Sequence, residues 1–292
     1  MQFQRANASD TGIAIALAVA LVSYASIRVI EAIELRVPNL LIVAVNVLSA
    51  LAFALVHGGL HYRLRGILVF TAICLVVGNV TENLGVATGF PFGQYHFAGL
   101  MGPMLFHVPV FLGLAYVGMS YISWSLARLI VGSPLLPLTG RRLLAVPLVG
   151  SFIMVAWDMA QDPVWATILH GWVWVNGGPW FGVPISNFLG WFLNIFVIFL
   201  LFALYLRRQK PPEVPWERGN WRSALIFYVL CAIGNVLQLN HHVPEFVADP
   251  TGRQWRVEAI TGASALVSIF VMGAFAAIAW IRLVEQEQAT KD

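Results

Sequence analysis

Eight stretches of about 20 predominantly apolar residues recur along this chain, at residues 12–34, 38–56, 66–82, 103–127, 143–161, 184–206, 221–240 and 258–282. A helix of that length just crosses the hydrocarbon core of a bilayer. Only 11% of the 292 residues are charged and 59% are hydrophobic, whereas soluble domains carry roughly a quarter charged residues. A single aqueous core of this length cannot hide so much apolar surface, and a disordered chain would be polar and poor in aromatics. The expected fold is therefore all-α, a polytopic transmembrane helical bundle of about eight spans that forms one integral membrane domain over residues 1–292. The third and fifth stretches are short or end in polar residues, so their outer ends are expected to lie against protein rather than lipid. The first stretch lacks a basic leader and a small-residue cleavage site, and reads as a retained span rather than a signal peptide.

Charge sets the expected orientation. Arg5, Arg63, Arg65, Arg128, Arg141, Arg142, Arg207, Arg208, Lys210, Arg218, Arg222, Arg282 and Lys291 fall on one side of such a bundle. Arg28, Arg36, Arg253 and Arg256 fall on the other. Basic loops stay inside, so both termini are expected in the cytoplasm and the protein in the cell inner (plasma) membrane as a multi-pass chain surrounded by lipid. The basic residues form no patch interleaved with aromatics, which argues against nucleic acid as a partner. Cys74 and Cys231 lie in separate apolar runs and read as buried hydrophobes.

Two segments on the expected outer side differ from ordinary loops. Residues 78–102 (GNVTENLGVATGFPFGQYHFAGLMG) and 158–187 (DMAQDPVWATILHGWVWVNGGPWFGVPISN) contain no Lys or Arg and are rich in Gly, Pro and aromatics. Irregular chain at the membrane interface survives only when buried in protein or facing a cavity, so an aromatic-lined outer cavity is expected. An interfacial aromatic belt is the plainer reading of the same composition. Glu82 ends the third stretch with Asn79 a turn earlier, and Asp158 and Asp162 end the fifth at i, i+4, on one helical face. Pro163 is expected to stop or kink that helix. Intramembrane carboxylates are functional candidates by default. Two carboxyls one turn apart do not both ionise easily, which leaves one as a proton donor.

The histidines carry less. His57 and His61 are spaced to share a metal, as are the adjacent His241 and His242, but the topology separates the two pairs, so no metal site is expected. His107 and His170 read as hydrogen-bonded interior residues. His96 and His242 are the histidines best placed to line the outer cavity.

Several separated motifs then resemble one family in order. They are Glu82-Asn83-Leu84-Gly85, Thr88-Gly89-Phe90-Pro91-Phe92-Gly93-Gln94-Tyr95, Gly102-Pro103, Trp157-Asp158 with Asp162-Pro163, Gly182-Val183-Pro184, Asn187-Phe188 and Gly190-Trp191. Together, over residues 78–191, they resemble the carotenoid-biosynthesis integral membrane proteins, which include carotenoid 1,2-hydratases and bacterioruberin-pathway hydratases. The chain departs from the family at Ala115-Tyr116, where a tryptophan is expected, while Gly118-Met119 are in keeping. The resemblance implies acid-catalysed hydration of the terminal double bond of an acyclic (ψ-end) carotenoid, an apolar isoprenoid, with no cofactor and in the company of other carotenoid-pathway enzymes. Asp158 or Asp162 is then the candidate acid, with Glu82 its partner or the base that orients water. Asn79 and Asn187 are candidates to hold the water. Trp157, Trp172, Trp174, Phe92 and Tyr95 are candidates to stabilise a carbocation through their π faces.

Two rivals use the same residues. A membrane prenyltransferase would hold Mg²⁺ and a diphosphate on Asp158-x-x-x-Asp162, but should bring a second Asp-rich motif and nearby basic groups. A non-catalytic carotenoid- or lipid-binding protein would use the aromatic cavity without chemistry.

Overall fold

The computed structural model describes residues 8–33, 40–209, 220–240 and 245–289. Arg36, His241 and His242 lie outside these residues. Helices dominate: α1 (Ala8–Ile33), α2 (Leu40–Thr88), α3 (Val110–Val131), α4 (Arg142–Pro163), α5 (Ile185–Arg207), α6 (Trp221–Leu237), α7 (Val257–Leu266) and α8 (Gly273–Ala289). By length and composition, six helical stretches of the described residues suffice to cross a membrane. One is the whole of α2, another joins α7 to α8, and α6 is a shorter apolar helix.

The second and third apolar stretches of the sequence are the two halves of α2. They are broken at Arg63, whose φ of 57° and ψ of 168° leave the helical region. The chain folds back there, because a side chain at Gly58 would run into Ile67 across the break. Further from the turn, Gly118 of α3 lies against Ala50, and Tyr116 of α3 lies 3.3 Å from where a Cβ on Gly78 would stand. The two halves thus flank the same level of α3, and small residues let the three backbones approach closely.

One end of the bundle is basic. It gathers the Arg63 turn, the connection from α3 to α4 and the start of α6, where Trp221 stacks on His61 at 3.8 Å. Arg222 pairs with Glu287 of α8 at the same end, at 2.5 Å. Arg28 does not belong to a loop on the opposite side, as its charge count suggested. It is 3% exposed inside the bundle, because its guanidinium finds acceptors on two helices.

The opposite end departs from an all-α fold. Three two-stranded antiparallel ribbons form there: β1 (Tyr95–Phe97) with β4 (Trp172–Trp174), β2 (Met104–Leu105) with β3 (Val108–Pro109), and β5 (Phe246–Ala248) with β6 (Gln254–Arg256). The β1–β4 ribbon joins the two segments that lack Lys and Arg, pairing Tyr95 with Trp174, His96 with Val173 and Phe97 with Trp172. Chain folded into an apolar environment must satisfy its own backbone groups, and pairing does so.

Pro163 does not stop α4. The helix widens into a π-helical turn over Val164–Ile168 before ending. Proline lacks the N–H that would bond to the carbonyl of Met159, and the indole Nε1 of Trp180 donates to that carbonyl instead, at 3.0 Å.

Candidate active site

The inner face of α4 repeats at helical spacing. Met154, Trp157, Asp158, Gln161, Asp162 and Trp165 all line one cavity. Its other walls come from α1, both halves of α2, α3, α5 and the β1–β4 ribbon. The space between them is about 1020 Å³ including its open mouth.

Three carboxyl groups meet here, each buried: Glu82 from α2 and Asp158 and Asp162 from α4. Their hydrogen bonds differ in a way that separates them chemically. Glu82 accepts at both oxygens, from the phenol of Tyr95 and from that of Tyr116, the latter at 2.5 Å. Asn194 of α5 donates in turn to the Tyr116 oxygen at 3.0 Å. Asp162 also accepts at both oxygens, from Trp172 Nε1 at 2.6 Å and from the amide of Asn187. That same amide nitrogen donates to Asp158 Oδ2 at 3.1 Å. Asp158 Oδ1 accepts from nothing among the described residues. Carboxylates whose oxygens all receive donors are bound as anions are, whereas an oxygen with open valence can carry a proton.

Aromatic rings enclose this carboxyl cluster. Tyr116 stacks on Trp191 at 4.5 Å and 10°, Tyr95 leans on Trp174 at 4.8 Å, and Trp165 lies parallel to Trp172 at 6.1 Å. Phe92 reaches the cavity because Gly85 and Gly190 leave room for its ring: a Cβ on either would stand 2.8 or 2.6 Å from it.

Of the residues singled out in the sequence, Glu82, Asp158, Asp162, Asn187, Phe92, Tyr95, Trp157, Trp172 and Trp174 all line this one cavity. Asn79 does not. It pairs with Asn83, which donates to its Oδ1 at 3.1 Å and accepts from the His107 amide at 3.0 Å, so the two form a brace under the β2–β3 ribbon. His96 is likewise outside. Side chains alternate along a strand, so with Tyr95 and Phe97 on the cavity side His96 is exposed. His107 and His170 are exposed rather than interior, since each sits in a tight turn at the ribbon end. His57 and His61 are buried near the basic end, His57 Nδ1 lying 2.8 Å from the Tyr121 hydroxyl. Among the described residues, no group of three or more His, Cys, Asp or Glu side chains is arranged to hold a metal ion.

The site also contains residues that sequence reasoning passed over: Tyr116, Trp191, Asn194, Gln161 and Arg28. Asn187, Trp191 and Asn194 recur at i, i+4, i+7 on α5, a polar stripe on an apolar helix that could have revealed the last two. Tyr116 stood out in sequence only as a departure from the family pattern.

The signature described as carotenoid biosynthesis protein matches residues 38–248, most of the chain. The chain belongs to that family. This carotenoid-biosynthesis protein is also 32% identical over 123 residues to the bisanhydrobacterioruberin hydratase of Haloarcula japonica. The aligned stretch covers 41% of this chain and 39% of that relative, well under half of either. No solved structure matches the chain. The family assignment, with the apolar helices, makes this a membrane protein of carotenoid biosynthesis, and its matched region includes every carboxyl of the cluster.

Proposed function

We propose that this protein hydrates the terminal double bond of an acyclic carotenoid, giving a tertiary alcohol. The observation that carries the reading is the inequality of the three carboxyls. Glu82 and Asp162 each accept a side-chain donor at both oxygens, while Asp158 has an uncommitted oxygen in a cavity walled by tryptophan. In this scheme Asp158 donates a proton from Oδ1 to the less substituted alkene carbon. The π electrons form the new C–H bond and leave a tertiary carbocation. Water attacks that carbon, and its surplus proton passes to a carboxylate of the cluster, Glu82 or Asp162, from which Asp158 is reprotonated. Alkene and water are consumed and an alcohol is formed, with no net change in protons or electrons, so no redox cofactor is called for. Trp157, Trp172, Trp174 and Trp191 are the rings available to the cation, each contact being worth about 2 kcal/mol when desolvated. The Haloarcula relative, named a hydratase, supports the reaction type.

The diphosphate alternative is disfavoured by Asn187. Its amide donates to both Asp158 and Asp162, at the point where a cation bridging the two would have to sit. The basic end of the bundle supports a cytoplasmic location for both termini in the inner membrane, with lipid and other carotenoid-pathway enzymes as neighbours. The test is to incubate the purified protein with ψ-ended carotenoids in H₂¹⁸O. A tertiary alcohol carrying ¹⁸O is expected, whereas an unlabelled product, or none from any ψ-ended carotenoid, would exclude hydration.

A further inference from the structure

The helices that wall the cavity show which of its ends is closed. α4 runs from the basic end toward the ribbons, so Met154 stands one turn, about 6 Å, deeper than Asp158. α3 runs the other way, and Met119 stands about 4.5 Å deeper than Tyr116, the partner of Glu82. Ala50 of α2 and Tyr24 of α1 complete this deepest row of the lining. The four are 0–3% exposed, whereas Phe97, Trp157, Trp165 and Trp172, at the level of the carboxyls and above it, are half-buried. Beneath the row the bundle is solid. Phe227 of α6 lies 4.3 Å from Tyr24 and 5.1 Å from Phe53 between ring centroids, and both phenylalanines are fully buried. Ser123 Oγ donates to Met154 Sδ at 3.7 Å, which holds a side chain that is otherwise adaptable.

A pocket closed below its reacting groups admits a chain by the end and not by the middle. Its depth fits one kind of end. Beyond the alkene carbon that receives the proton, an isopropylidene terminus extends only by the tertiary carbon and its two methyls. With an apolar contact of about 3.5–4.0 Å beneath them, these fill the single turn between Asp158 and Met154. We infer that Ala50, Met119 and Met154 form a stop that seats the branched hydrocarbon end of the isoprenoid and so decides which double bond meets Asp158. A bulkier end lifts the terminal alkene past the acid, and a deeper floor lets the chain slide inward until an internal double bond takes its place. The inference rests on the reading that the cavity holds the isoprenoid. It assigns the choice of terminal over internal double bonds to three side chains that take no part in the chemistry.

The test uses the full chain purified in detergent and two acyclic polyenes that differ only at the chain ends, which carry two methyls in one and two ethyls in the other. Retention of each pigment over a concentration series, read by visible absorbance, measures affinity. The dimethyl-ended polyene is expected to bind the unmodified protein about tenfold tighter, because extra methylenes have no room above a packed floor. Met154→Ala and Met119→Ala each deepen the floor and should bring the ratio toward one, while Met154→Leu, which conserves volume, should keep it. Equal affinities for the unmodified protein, or a preference unchanged in both alanine variants, would overturn the stop. Should an alanine variant fail to fold, the ratio for the unmodified protein still decides. Parallel incubation in H₂¹⁸O separates the two readings. Preferential binding without label in any product keeps the stop and removes the hydratase, and label in both products at equal affinity does the reverse.

Discussion

Tyr116 shows how much of the chemistry rests on single atoms. Its hydroxyl donates to Glu82 and accepts from Asn194, linking α2, α3 and α5 through one oxygen. Tyr116→Phe keeps the stack on Trp191 but leaves one oxygen of a buried carboxylate without its donor, a loss of about 1–3 kcal/mol. Hydration should fall about 10- to 100-fold in steady-state assays while pigment is still retained, and unchanged turnover would remove Glu82 from the mechanism. Asp158→Asn removes the proposed acid and should cost about 10²–10⁴-fold. Asp162→Asn should also lower turnover, because it breaks the amide bridge that aims Asp158, and rates for the two variants check this order. Full activity in Asp158→Asn would mean another group donates the proton. The carboxyls and Asn187 were legible in the sequence because charge is so scarce in these helices. Tyr116, Gln161 and Arg28 were not, since an aromatic or amide on an apolar helix looks like core, and Arg28 looked like a loop charge.

At the scale of elements, the segments without Lys or Arg are held by close packing, and the β5–β6 ribbon by one carboxylate. A Cβ on Gly190 would stand 2.6 Å from Phe92 and 3.0 Å from the carbonyl oxygen of Pro91. Backbone cannot yield as a flexible side chain can, so Gly190→Ala should push the turn before β1 off α5. The expected cost is about 1–3 kcal/mol, read as a lower midpoint of thermal unfolding, together with weakened turnover because Tyr95 leaves Glu82. The β5–β6 ribbon is organised by Asp249. Burial works against its ionisation, but hydrogen bonds from the Thr251 hydroxyl, Trp255 Nε1 and the amides of Thr251 and Arg253 outweigh it and hold its carboxyl below the usual range. A depressed carboxyl contributes stability above its ordinary value near 4 and loses it as pH falls through the lower native value. Proteolysis of the 246–256 ribbon should therefore be slow at neutral pH and accelerate on acidification. Asp249→Asn should be cut readily at neutral pH, and equal cutting of the two proteins there would contradict this role. That residues 78–102 and 158–187 fold back was readable from Gly, Pro and aromatic content without Lys or Arg. Their pairing was not, because strands of three residues distant in sequence carry no periodic signal.

For the whole molecule, charge and shape point the same way. Arg63, Arg128, Arg142, Arg207 and Arg222 belong to the end of the bundle remote from the ribbons, and the carboxyl cluster lies toward the ribbon end. A reporter fused after Asp292 should therefore be cytoplasmic, as positive loops dictate, and an extracytoplasmic reporter would invert the arrangement. The apolar stretches read from sequence coincide closely with the helices, since crossing a bilayer demands a length that composition displays directly. The break at Arg63 was visible as a polar gap between two stretches, but the return of one half against the other is decided by Gly58, Ala50 and Gly78 packing on their neighbours. The most direct measurement follows the proton. Turnover in D₂O should place one non-exchangeable deuterium on the carbon next to the new carbinol, detected by mass spectrometry, with the Asp158→Asn protein yielding little such product. An alcohol formed without carbon-bound deuterium, or deuteration at full rate in Asp158→Asn, would contradict proton transfer from this carboxyl to the double bond.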